Sequence, residues 1–146
     1  MRIAVLNGPS LNLLGSREPD LYGRETLSDI EHRLRDVARE IGVDIEFEQR
    51  NGEGELVDCI HALRGRAQGA LVNAGAYSHT SLAIRDALSA VGVPFAEVHL
   101  TNIFAREPER RHSMLAGGAE AVLCGFGAMG YELALRGLVA KLSARG

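Results

Sequence analysis

Short apolar runs alternate five times with stretches of helical spacing, in a chain of 146 residues of which 46% are apolar. These observations predict an α/β fold: a five-stranded parallel sheet with helices on both faces. The length suits a single domain over residues 1–146 and leaves no room for a second core.

Residues 3–6, IAVL, form the first predicted strand, stopped by Asn7-Gly8-Pro9. A long polar connection follows. Over residues 26–41, Leu27, Ile30, Leu34, Val37, Ala38 and Ile41 recur every three or four positions, the mark of an amphipathic helix, and Gly42 ends it. Residues 43–48 alternate as a strand, with Val43, Ile45 and Phe47 on one face. Residues 55–64 predict a helix with Leu56, Ile60 and Leu63 inward, and residues 69–73 a buried strand. A helix over residues 81–91, capped by Thr80 or Ser81, leads to strands at 94–100 and 120–124 and a closing helix at 129–142. Strand–helix alternation of this kind implies right-handed crossovers and a sheet covered on both sides. Five such units match a flavodoxin-like, doubly wound domain, whose ligands bind beyond the carboxyl ends of the strands.

Net charge is −3 with no basic block, which argues against nucleic acid as the main partner. Cys59 and Cys124 sit in apolar contexts without metal-like spacing and predict reduced core thiols in a cytoplasmic protein. The opening apolar run is too short for a signal peptide, and no stretch approaches the length of a membrane span.

The unusual polar residues gather after three strands: NGPSLNLLGSREPDLYG at 7–23, NAGAYSHTS at 73–81, and EVHLTN at 97–102 followed by IFAREPERRHS. Residues 15–23 have the make-up of a lid, bracketed by glycines and carrying Arg17, Glu18, Asp20 and Tyr22. Glu97 and His99 are two apart on a strand and share a face, either as a proton donor with its orienting carboxylate or as a core histidine satisfied by an acid. His79 opens a helix, where it meets a ligand or solvent; His32, His61 and His112 carry no assigned chemistry.

Several other chemistries find little support. GFGAMG at 125–130 satisfies GxGxxG, but no strand and no ribose-binding acid follow it, so it reads as a tight turn with close helix packing. The first loop lacks a Gly-Lys pair for a nucleotide phosphate. Glu97, His99 and His79 form no metal-ligand motif. Lys141, the only lysine, lies in the closing helix, where it makes a poor Schiff-base nucleophile. A binding module for a small anion or flavin, or a metal-dependent hydrolase built on Glu97 and His99, are the competing functions. The first has no need for Arg17, Tyr22 and His99 together.

The three loop strings, NAGAYSHTSLAIRDAL in its longer form, and the end GFGAMGYELAL resemble the signature regions and last helix of the type II 3-dehydroquinate dehydratases, in order and over nearly the full chain. The resemblance implies anti elimination of water from 3-dehydroquinate through an enolate, in the shikimate pathway, without metal or organic cofactor. Tyr22 matches the base that takes the C2 proton, Arg17 the lid arginine beside it, His99 the acid at the departing C1 hydroxyl, and Glu97 its orienting carboxylate. Asn73, His79 and Arg110 match residues that hold substrate hydroxyls, and the Leu100-Thr101 main chain matches the carboxylate site. Arg106 matches an arginine just behind the site. Asp86 matches an acid lent by a neighbouring subunit, in a dodecamer of four trimers. A tyrosine free in water is ionised in about one molecule in a thousand at pH 7, so such a base needs a cation close by. The chain departs from the family pattern at Ser10, where an asparagine associated with a water near the enolate oxygen is usual. It also departs at Ala74, within a usual NPG, and at Glu109, in place of an aromatic.

Overall fold

The computed structural model describes residues 1–16 and 18–146; Arg17, the expected lid cation, lies outside the described residues. Strands β1 (Arg2–Asn7), β2 (Asp44–Gln49), β3 (Gly69–Asn73), β4 (Phe95–His99) and β5 (Ala121–Cys124) form one parallel sheet in the order β2-β1-β3-β4-β5. Around it stand α1 (Pro19–Tyr22), α2 (Leu27–Ile41), α3 (Glu53–His61), α4 (Leu82–Val91) and α5 (Met129–Arg145). The chain winds from β1 to β2 in one direction and then returns past β1 to β3. That reversal opens a crevice at the carboxyl ends of β1 and β3. The doubly wound, flavodoxin-like architecture predicted from the alternation is the one adopted.

Side-chain alternation along each strand supplies two cores. Ile3 and Val5 of β1 pack with Leu71, Val98 and the inward residues of α2 and α5, including Leu34, Leu135 and Leu138. Ala4 and Leu6 pack on the opposite face with Val72, Leu56, Ile60 and Ile84 of the α3–α4 layer. No helix among the described residues is long and apolar enough to cross a membrane.

The differences from expectation lie at element ends and edges. Thr26 caps α2 by a reciprocal exchange with Asp29, so the helix proper starts one residue later than the periodicity suggests. The third helix starts at Glu53 rather than residue 55, because the Glu55 carboxylate reaches back to the Gly52 N–H at 3.2 Å. It ends at His61, where the N–H of Leu63 turns to Ile60 in a tighter closing turn. The closing helix runs on to Arg145. The segment expected to form a lid contains a one-turn helix, α1, which Pro19 starts at the first helical position. Cys59 and Cys124 are free but only half-buried. Cys59 lies one position off the inward stripe of α3, and Cys124 belongs to the edge strand β5, where Val122 is 38% exposed.

Two glycines shape the crevice. A Cβ on Gly8 would stand 2.3 Å from the Ala74 carbonyl oxygen, so only glycine lets the β1 loop cross the end of β3 and donate its N–H to Asn73 O at 2.8 Å. Gly127 sits at φ 60° and donates its N–H to Leu100 O at 2.9 Å, tying the start of α5 to the turn after β4. The GxGxxG stretch is therefore a tight turn, as expected, and its last glycine packs on Val98. At the opposite rim, Glu120 accepts from Lys141 and Arg145 at 3.1 and 2.6 Å, fastening the end of α5 to the entry of β5.

Candidate active site

The carboxyl ends of β1, β3 and β4 converge on a cleft of about 140 Å³. Asn73 ends β3 and His99 ends β4, and Leu100 and Thr101 continue the wall. His79 comes from the turn after β3, Ser10 from the loop after β1, and Tyr22 from the last position of α1. Arg106 and Arg110 close the other side from short turns after β4. Parallel strands make this gathering natural, because every strand-to-helix loop leaves the sheet on the same rim.

Glu97 and His99 meet as their period-two spacing predicts. His99 Nε2 bonds Glu97 Oε2, and the other carboxylate oxygen accepts from the Ser113 hydroxyl at 2.7 Å. Glu97 is fully buried, a costly place for a charge, and these two donors offset the cost. The Glu97 bond fixes the His99 ring and leaves Nδ1 as the nitrogen that can exchange a proton with a ligand.

His79 is clamped by His112, to which the sequence assigned no role. His79 Nδ1 donates to the His112 carbonyl at 2.7 Å, and His112 Nε2 donates to the His79 carbonyl at 2.9 Å. A carbonyl only accepts, so the proton on His79 stays at Nδ1 and Nε2 is left to accept. Burial pulls the His79 pKa below its ordinary 6.5, opposed by the His112 carbonyl and reinforced by the nearby His99 and Arg110. The His79 and His99 rings stack with centroids 5.8 Å apart.

Arg106 reaches Tyr22 of α1. Its Nη1 donates to the Tyr22 hydroxyl at 3.1 Å and to Thr101 Oγ1 at 3.3 Å. The residue expected just behind the site therefore touches the phenol directly. Arg110 lines the cleft while its Nε holds Glu107. Asn73 is buried, and its amide donates to Tyr131 Oη at 2.8 Å.

Asp86 is not part of this cleft. It lies exposed on α4, beside Arg85, on the wall of a separate depression of about 780 Å³. Another depression, of about 380 Å³, lies between β2 and α3. Neither is lined by a tyrosine or a histidine, whereas the smaller cleft holds Tyr22, His79 and His99 with Arg106 and Arg110. Among the described residues no group of three or more His, Cys, Asp or Glu side chains is placed to hold a metal ion. Ser113, His112, Asn7 and Tyr131 are the site-supporting residues that the sequence reading missed. Asn7 and the His-Ser pair after the arginine run carried a local signal, their positions inside polar rim strings.

The family model described as Dehydroquinase class II matches residues 1–139. A 3-dehydroquinate dehydratase of Gemmatimonas aurantiaca is 59% identical over 142 residues, covering 97% of this chain and 93% of its own. One of Synechococcus sp. is 58% identical over 142 residues, covering 97% of each chain. Among solved structures, the type II dehydroquinase of Butyrivibrio crossotus superposes with a TM-score of 0.93 at 35% identity, covering 95% of this chain and 97% of that one. The type II dehydroquinase of Propionibacterium acnes gives 0.91 at 41% identity, with 95% and 96% covered.

Proposed function

The chain belongs to the class II dehydroquinase family, and on that premise we propose how its own residues carry out the dehydration of 3-dehydroquinate to 3-dehydroshikimate. Tyr22, as the phenolate, takes the C2 proton, and the electron pair moves into the C3 carbonyl to form an enolate. As the enolate collapses, the C1–oxygen bond breaks, and the oxygen leaves as water with a proton from His99. Tyr22 then returns the substrate's proton to solvent, and His99 is reprotonated.

The observation that carries this reading is the cleft itself, which has Tyr22 under an arginine on one side and the His99–Glu97 pair on another. The Arg106 cation stabilises the phenolate that must form, and Arg17 is the second cation proposed for that task. Glu97 stabilises the imidazolium that a proton donor must be. Asn73, His79 and Arg110 are read as holding substrate hydroxyls, His79 as an acceptor through Nε2, and the Leu100-Thr101 N–H groups as holding the substrate carboxylate. Asp86 is read as an acid lent to a neighbouring subunit's cleft. That role suits its exposure on α4 and its distance from its own cleft, and it calls for a homo-oligomer, a dodecamer of four trimers. The reading is completed by one domain, a cytoplasmic location, a place in the shikimate pathway, and no cofactor.

The test is direct. Purified protein mixed with 3-dehydroquinate should develop the ultraviolet absorbance of a conjugated enone, undiminished by chelator or by borohydride added with substrate. No absorbance change, or a covalent adduct trapped on Lys141, defeats the mechanism. A fully active monomer in sedimentation defeats the shared Asp86.

A further inference from the structure

A chain of hydrogen bonds, buried at its centre and half-buried at its ends, crosses the sheet behind the cleft. Asn7 and Asn73 are register partners at the ends of β1 and β3, and Tyr131 of α5 lies across both. Asn7 Nδ2 donates to Glu48 O at 3.0 Å, the Tyr131 hydroxyl donates to Asn7 Oδ1 at 2.7 Å, and Asn73 Nδ2 donates to Tyr131 Oη at 2.8 Å. At the far end Asn73 Oδ1 accepts from the Gly75 N–H at 3.2 Å. Asn7 and Tyr131 are wholly buried, and burial pushes the Tyr131 pKa upward, so the hydroxyl keeps its proton.

The direction of every bond is fixed from the two ends. Glu48 offers a carbonyl, which only accepts, so Asn7 must present its amide nitrogen there and its oxygen to Tyr131. Tyr131 has one proton and gives it to Asn7, so it can only accept from Asn73. The Gly75 N–H only donates, which demands the Asn73 oxygen. Both constraints select the same amide orientation, and flipping any one member leaves two buried groups facing like with like. Asn73 is the member whose side chain lines the cleft, beside Gly75.

We propose that Tyr131, which does not line the cleft, is a positioning residue for substrate: through its hydroxyl it locks Asn73 in one amide orientation, so that a donor and an acceptor of fixed sense face the ligand. The inference rests on reading Asn73 as a substrate contact. A locked amide distinguishes a hydroxyl placed to accept from one placed to donate, and a free amide would flip to suit either.

Tyr131→Phe removes the hydroxyl and keeps the ring in its packing. Because Asn73 is read as holding substrate equally before and during reaction, the variant should raise KM about tenfold while kcat changes less than about threefold. Asn73→Ala should raise KM similarly, and Tyr131→Phe added to Asn73→Ala should raise it less than twofold further. Leu135→Ala, a packing change on the same helix, should lower thermal stability and leave KM unmoved. Should Tyr131→Phe fail to fold, Asn7→Leu gives the same readout from outside the cleft. It frees the Tyr131 proton to donate to Asn73, and KM should rise. An unchanged KM in a folded Tyr131→Phe, or an equal rise in the Asn73→Ala background, overturns the proposal while leaving dehydration of 3-dehydroquinate intact. An unchanged KM in Asn73→Ala overturns it together with the substrate role of Asn73, and an inactive wild type overturns the reading beneath both.

Discussion

The Arg106 guanidinium stands 3.1 Å from the Tyr22 hydroxyl, with its central carbon 5.4 Å from the ring centroid. A guanidinium that hydrogen-bonds the phenol oxygen is placed to hold the negative charge that the proposed base must carry. Arg106→Ala should therefore lower kcat/KM by about 10²–10³-fold in steady-state assays. A loss of less than twofold would mean that Arg106 serves only to shape the cleft.

Tyr22→Phe should lower kcat by about 10²–10⁴-fold. Binding of a substrate analogue, followed by calorimetry, should stay within a few-fold of wild type, because the phenyl ring and its neighbours remain. Retention of most of the rate would place the base elsewhere.

Glu97 is held from two sides, by His99 and by the Ser113 hydroxyl. Glu97→Gln should cost kcat about 10²–10⁴-fold, because His99 loses the carboxylate that orients its ring. Ser113→Ala removes one hydrogen bond to a buried carboxylate and should destabilise the fold by about 1.5–3 kcal/mol in urea titration. Rates and unfolding midpoints unaltered by Ser113→Ala would contradict the pairing.

His79 gives a dependence of stability on pH with a definite sign. Its pKa in the fold is below 6.5, so the unfolded chain binds this proton more readily. The contribution is whole above about pH 6.5 and is lost as pH falls through that value toward the lower folded one. Urea titrations from pH 8 to 5 should show His79→Gln declining less steeply than wild type. Parallel declines would show that burial of this ring does not penalise its charge.

Ser10 occupies the left-handed region, with φ 67° and ψ 0°, and it is the position where the family pattern has asparagine. Asparagine adopts that conformation more readily than serine. Ser10→Asn should therefore raise thermal stability by up to about 1 kcal/mol and turnover modestly, since its longer amide reaches further into the cleft. Ser10→Ala should lower turnover through loss of the hydroxyl. Silence in both kinetic measurements would remove residue 10 from the reaction and leave a backbone effect alone.

Legibility in the sequence followed the range of the interactions. The sheet and helices were readable because alternation and three–four spacing are local, and Glu97 with His99 because two residues on one strand share a face. The roles of loop residues such as Tyr22 and Arg110 came through the family strings rather than through spacing. The relay from Glu48 to Gly75 was not readable, since Tyr131 and Asn7 are 124 positions apart and each looks like ordinary core or turn material. The clamp between His79 and His112 spans 33 positions through main-chain carbonyls, which carry no side-chain signature. Helix starts slipped by one or two residues wherever a carboxylate reached back to a cap, as Glu55 does to Gly52.

The tie between Lys141 and Glu120 sits where β5 enters the sheet, on the rim opposite the cleft. Because the chain has one lysine, every side-chain amine available to an acylating reagent is on that far rim. A dye coupled through it would sit on each subunit at the end away from that subunit's own cleft. Sixteen basic side chains, fifteen of them arginine, thus leave the chain almost blind to amine chemistry while keeping its cations in place.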